Sequence, residues 1–212
     1  LFEGTPCLLE DVIFPQALAL LPGEARTVQL VIEAQAQGSN SSASSFQIIS
    51  FNEAEVATQP LLHATGRMAR SAATAPILSL ADLQARCASA VLPVTLYETL
   101  AKTQVVLGPT FRWFAALWRG ATSEALGQIT QPDALASTQG YPLFPSLLDA
   151  CFQLIGAAML EDEPRDAEGA TRLPFALESL TFYGPTNHQD LWCHVKQTDE
   201  QKWEIFLFTA SG

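Results

Sequence analysis

Basic side chains are scarce in this chain: 11 Lys and Arg stand against 22 Asp and Glu, giving a formal net charge of −11. Such a balance repels phosphate backbones and anionic headgroups, which argues against nucleic acid or a membrane surface as the main partner. Cysteine is sparse and scattered. Cys7, Cys87, Cys151 and Cys193 include no CxxC pair, so neither a zinc finger nor a disulfide scaffold is expected, and a reducing cytoplasm fits best. No apolar run reaches the ~20 residues of a membrane helix. The histidines, His63, His188 and His194, form no HxH or HExxH spacing, so no metal site is predicted. Ser146 lies in no GxSxG elbow, which leaves a serine hydrolase unsupported. Gly108-Pro109 lacks the glycine repeat and lysine of a phosphate loop.

What is present is material for a core. Of 212 residues, 48% are hydrophobic and 16% charged, which excludes general disorder and allows one large domain or two small ones. The first third reads as strands. Leu8–Phe14, Thr27–Glu33, Phe46–Phe51 and Leu61–Arg67 are short stretches with β-branched or aromatic residues, separated by turn chemistry at Leu21-Pro22-Gly23-Glu24 and Gln37–Ser45. Met68–Ser79 is small and unpatterned and reads as a linker.

Short helices are predicted at Leu80–Cys87 and Leu96–Lys102, then strands at Phe111–Arg119 and Leu126–Ile129. Pro145–Leu160 is the longest apolar run and the best helix candidate, with Pro145 suited to its first turn and Glu161-Asp162-Glu163-Pro164 ending it. It is apolar nearly all round, as befits a helix wrapped by a sheet. Strands follow at Leu177–Phe182, Leu191–Lys196 and Trp203–Thr209. The second half therefore holds a long helix and the strands to embrace it. The first half holds strands without a comparable helix, and their apolar faces need a cover. The expectation is a covering helix upstream of Leu1, and a return strand beyond the turn at Ala210-Ser211-Gly212.

Several segments, in order, resemble the dehydratase domains of modular polyketide synthases. Leu9–Phe14 is similar to the strand after the family's first helix, and His63-Ala64-Thr65-Gly66-Arg67 to the segment closing its first half. Leu107-Gly108-Pro109-Thr110-Phe111 resembles GYxYGPxF, with Leu117-Trp118-Arg119-Gly120 after it. Phe144–Gln153 resembles HPxLLDAxxQ, and Leu173–Leu177 resembles LPFxW. The resemblance implies an α+β double hotdog, two antiparallel sheets each wrapping a long helix, with the first helix missing here. Its halves would be residues 1–67 and 80–212, joined by a linker over 68–79. It departs from the family in four motif positions: Val105 and Leu107 replace tyrosines, Phe144 a histidine and Leu177 a tryptophan. The HxxxGxxxxP motif with the family's catalytic histidine is not in the sequence and would fall before residue 1.

The implied chemistry is dehydration of 3-hydroxyacyl thioesters to enoyl thioesters. A base takes the α-proton and an acid protonates the departing hydroxyl. Burial among apolar neighbours favours the neutral, proton-bearing form of such an acid. Asp149, between Leu147, Leu148, Ala150, Cys151 and Phe152, has those neighbours, and Gln153 one helical turn on can orient its carboxyl group. Read without the family, an Asp early in a helix simply complements the helix dipole. By resemblance Leu107, Gly108, Pro109, Phe111, Phe144, Pro145 and Leu148 line the substrate tunnel. His63 reads as a structural histidine, His188 as solvated, and His194 as a surface or core-edge residue. Cys151 reads as a small buried hydrophobe, and Trp113 and Trp118 as core or sheet-face residues.

The resemblance also implies an acyl carrier protein and neighbouring synthase domains as partners, a homodimer, and no cofactor beyond the carrier's phosphopantetheine arm. Two other readings stand beside the hydro-lyase. One is a pseudo-dehydratase with a structural role in the synthase. The other keeps the fold but changes the reaction, to double-bond isomerisation or oxa-Michael ring closure.

Overall fold

A computed structural model describes residues 6–34, 43–51, 60–160, 173–185 and 190–212. In chain order the elements are β1 (Cys7–Ile13), β2 (Val28–Ala34), β3 (Ser44–Ser50), β4 (Leu61–Arg70), α1 (Leu80–Arg86), β5 (Ser89–Val91), α2 (Pro93–Lys102), a single 3-10 turn (Pro109–Phe111), β6 (Phe114–Arg119), β7 (Glu124–Ile129), α3 (Pro145–Ala158), β8 (Ala176–Phe182), β9 (Leu191–Asp199) and β10 (Lys202–Thr209). They form two compact units, residues 1–75 with 173–184, and residues 76–172 with 185–212. None of the helices is long and apolar enough to cross a membrane, among the described residues.

The first unit is one antiparallel sheet in the order β2-β3-β4-β1-β8. Its core is Val12, Phe46 and Ala64, with Leu9, Phe14, Ile48, Met68 and Leu177 packed against them. Gly66 is required by close approach, because a Cβ there would meet the Phe46 ring and Val12 Cγ2 at 3.0 Å. Two expectations are corrected. β4 runs on to Arg70, because Met68, Ala69 and Arg70 pair with Leu9, Leu8 and Cys7, so the linker does not begin at Met68. Sequence order puts β8 in the second half, yet it hydrogen-bonds along β1 from Phe182 opposite Cys7 to Ala176 opposite Ile13. Pairing with β1 is what places residues 173–184 in the first unit.

In the second unit the sheet order is β10-β9-β7-β6-β5, again antiparallel. α3 lies on one face. Leu147, Ala150, Cys151, Leu154 and Ala157 join Leu117, Ala125, Leu191, Cys193 and Val195 in one buried cluster. Each fully buried leucine of this kind contributes about 1.5–3 kcal/mol. A second cluster holds Leu83 and Cys87 of the α1 segment with Leu126, Trp192 and Phe208, and Trp118 stacks on Trp192 at 5.8 Å.

Local chemistry sets the element ends. Ser79 caps α1, its hydroxyl accepting from the Asp82 amide. Pro93 opens α2 three residues before the expected start, and Pro145 opens α3, both in the first turn where a missing N–H costs nothing. The expected strand at Phe111 begins only at Phe114, since Gly108-Pro109 starts the 3-10 turn instead. β5, three residues long, is too short to leave a periodic signal.

Candidate active site

α3 presents Ser146, Asp149 and Gln153 at i, i+3 and i+7, a spacing that puts all three on one helical face. Asp149 lies beyond the first turn, which contains no acidic residue. The dipole-complementing reading of Asp149 therefore does not apply, because that effect fades within the first turn. Asp149 is half-buried and Gln153 is 8% exposed.

Gln153 Nε2 donates to Asp149 Oδ2 at 2.7 Å and to the Phe111 carbonyl at 3.1 Å. Both partners accept, so the amide orientation is fixed with nitrogen toward them; a reversed amide would set its oxygen against the Phe111 carbonyl oxygen. Gln153 Oε1 is then buried with no partner among the described residues. Asp149 Oδ2 is committed as an acceptor, and among the described residues no donor reaches Oδ1.

Facing this stripe is the segment 107–113. Arg112 Nε donates to the Leu107 carbonyl at 3.1 Å, and its guanidinium lies 5.2 Å from the centre of the Tyr97 ring. The turn is closed by Phe111 N to Gly108 O at 3.0 Å. Trp113, fully buried, donates through Nε1 to Ser146 Oγ at 2.8 Å, and Ser146 donates to the Thr110 carbonyl at 2.9 Å. At the start of α3, Phe144 packs against Trp113 at 6.1 Å and edge-on against Tyr141 at 5.1 Å.

Of the residues singled out in sequence, Asp149 and Gln153 are hydrogen-bonded to each other, and Phe111 joins them through its carbonyl. Leu107, Phe144 and Leu148 are half-buried; Gly108, Pro109, Phe111 and Pro145 are exposed. His63 belongs to the first unit. Its Nε2 lies 2.7 Å from Ser50 Oγ and its Nδ1 3.1 Å from the Gln16 carbonyl. Ser50 is fully buried, so this pair pins strands and loop together. His188 lies outside the described residues.

Sequence reasoning missed the surroundings of His194. Its side chain is buried, with Nε2 2.7 Å from Glu124 Oε1, the same oxygen that takes Arg86 Nε at 3.1 Å and Nη2 at 3.0 Å. Burial pushes the Glu124 carboxyl up, but hydrogen bonds from Arg86 and His194 outweigh it and hold the group below the usual carboxylate range. Burial holds the His194 imidazole below its ordinary value, against the pull of Glu124. Cys87 stands close by, and one donor atom each of Cys87, Glu124 and His194 falls within 4.8 Å of the others. Sulfur, oxygen and nitrogen together would suit a divalent cation. Here the Arg86 guanidinium already holds the carboxylate, and burial pushes the Cys87 thiol up to about 11.

The sequence model for the polyketide synthase dehydratase N-terminal domain matches residues 75–204, more than half of the chain. The chain belongs to the polyketide synthase dehydratase family. The dehydratase domain from the CurJ module of curacin polyketide synthase is 34% identical, with a TM-score of 0.84 over all of this chain and 72% of that one. The CurK dehydratase domain is 27% identical with a TM-score of 0.85, over all of this chain and 71% of that one. With such neighbours, the two antiparallel sheets are the double hotdog of polyketide synthase dehydratases, here a partial domain.

The mycoketide-CoA synthase of Mycobacterium tuberculosis is 30% identical over 63% of this chain and 3% of its own length. The spectinabilin polyketide synthase protein NorA of Streptomyces orinoci is 36% identical over 41% of this chain and 4% of its own length. The chain thus spans well under a tenth of these relatives. Two of the four departures from the family motifs have apolar surroundings: Phe144 joins the Trp113 and Tyr141 rings, and Leu177 packs against the first unit's core.

Proposed function

We propose that this chain carries the acid half of a dehydratase acting on 3-hydroxyacyl chains held as thioesters on the phosphopantetheine arm of an acyl carrier protein. Asp149 protonates the leaving β-hydroxyl through Oδ1. A base removes the α-proton, the Cα–H and Cβ–O bonds break, the Cα–Cβ double bond forms, and one water departs. The resemblance assigns the base to a histidine in a motif that these 212 residues do not contain.

The arrangement of Asp149, Gln153 and the Phe111 carbonyl carries this reading. One carboxylate oxygen is held and the other is left to act, which is the preorganisation a general acid needs. Relatives add support. The CurK dehydratase is inactive with one Asp changed to Asn and also with one His changed to Phe. Leu107, Gly108, Pro109, Phe111, Phe144, Pro145 and Leu148 are the proposed walls of the acyl tunnel. The proposed partners are the carrier protein, the neighbouring synthase domains and a second copy of the chain.

A structural pseudo-dehydratase is favoured by one set of observations: Val105, Leu107 and Phe144 have no polar group where the family motifs do. Mass and NMR analysis of the product decides between them. The natural polypeptide bearing this chain, given a 3-hydroxyacyl carrier protein, is expected to yield the conjugated enoyl thioester. Unchanged substrate favours the structural role, and a shifted alkene or cyclic ether means the fold catalyses a different proton transfer.

A further inference from the structure

Ser146 has no role in the chemistry above, yet it is 3% exposed and its hydroxyl both accepts and donates a hydrogen bond. It accepts from Trp113 Nε1 at 2.8 Å and donates to the Thr110 carbonyl at 2.9 Å, which satisfies its one donor and one of its lone pairs. Two turns along the same face, Gln153 takes the next carbonyl of the same 3-10 turn, that of Phe111. Consecutive carbonyls of one turn are thus held by two α3 side chains that bracket Asp149.

From this geometry we infer that Ser146 is a positioning residue for Asp149, acting through the turn at Pro109–Phe111. The inference rests on the acid role given to Asp149 above. The chain of contacts is continuous. The buried Trp113 indole anchors Ser146, Ser146 fixes Thr110, and the peptide following Thr110 sets Phe111. The Phe111 carbonyl then fixes the Gln153 amide, which holds Asp149 Oδ2. The turn's internal bonds, Phe111 N to Gly108 O and Arg112 N to Pro109 O, make it move as a unit. Loss of the Ser146 hydroxyl frees the turn at one end and leaves the Trp113 N–H buried without this acceptor. Displacements of about 1 Å at a reacting group cost up to ~100-fold in rate.

The test uses Ser146→Ala, which removes one oxygen and adds no bulk, with Ser146→Thr as the variant that retains the hydroxyl. In the natural polypeptide, water loss from a 3-hydroxyacyl carrier is expected to lose roughly tenfold to hundredfold in kcat for Ser146→Ala. kcat falls by more than KM rises, since of the proposed acyl walls only Gly108, Pro109 and Phe111 lie on the freed turn, and Ser146→Thr keeps the wild-type kcat. A Ser146→Ala enzyme with wild-type kcat overturns the inference. In parallel, NMR of the isotope-labelled full chain follows exchange of the Gln153 side-chain amide protons. These are expected to exchange about tenfold faster in Ser146→Ala. Should no variant, wild type included, release water, the dehydratase reading fails by itself. The exchange result then decides for Ser146: faster exchange upholds its positioning of the Gln153–Asp149 pair, and unchanged exchange refutes it.

Discussion

Three N–H groups converge on Glu124 Oε1, two from Arg86 and one from His194. With Nε2–H donated to Glu124, neutral His194 leaves Nδ1 as a bare lone pair, buried and without a partner among the described residues. Protonating the ring puts a hydrogen on Nδ1 with no acceptor to meet it. Lys196 and Arg86 oppose the added charge as well, while Glu124 favours it. The folded-state value lies below that of the unfolded chain, near 6.5. Acid therefore loads protons preferentially onto the unfolded state. His194 contributes stability above about pH 6.5, and that contribution is lost as the pH falls toward the folded-state value. Thermal melts from pH 7.5 down to pH 5 are expected to fall more steeply for the wild type than for His194→Gln. Parallel curves would mean that His194 titrates alike in both states. None of this was legible in sequence, where Arg86, Glu124 and His194 lie on α1, β7 and β9 with only an isolated His or Glu to notice. Asp149 and Gln153, four residues apart on a strongly apolar helix, were legible because a helix turns local spacing into spatial contact.

Elements announced themselves when they were long and periodic. α3 starts at Pro145 as its sequence predicts, and β1, β3, β7, β8 and β10 fall within a few residues of their patterns. The short 3-10 turn and β5 did not, since three residues carry no periodicity. The turn matters most, because its two carbonyls receive Ser146 and Gln153 and its backbone faces the candidate acid. Strand contacts also set fine limits. Gly127 of β7 lies under Phe114 of β6, so that a Cβ would come 2.5 Å from the ring and 3.2 Å from Leu117 Cδ2. Phe114 and Leu117 are both buried in the α3 cluster and have little room to yield. Gly127→Ala is expected to destabilise the chain by about 1–3 kcal/mol, the usual cost of overpacking. A denaturant midpoint equal to that of wild type would show that Phe114 can swing aside freely.

At the scale of the whole molecule, sequence order misled where the chain crosses between units. Leu177 and Leu180 of β8 lie three residues apart and so on opposite faces of the strand, and nothing local says which sheet they join. Pairing with β1, some 170 residues earlier, is a long-range fact. The double hotdog itself was legible from motif order, since its segments recur in sequence along nearly the full chain. Those motifs also carry the functional claim: a carboxyl group with one oxygen held by Gln153 and the other left to give a proton. A neutral amide in its place keeps shape and polarity but has no acid proton to give. The decisive measurement is the rate of water loss from a 3-hydroxyacyl carrier protein by the natural polypeptide, wild type against Asp149→Asn, with melting curves confirming that both are folded. The account predicts dehydration by the wild type and a loss of at least about a hundredfold in Asp149→Asn. Equal rates in the two proteins would contradict it, because the acid would then have to be another group.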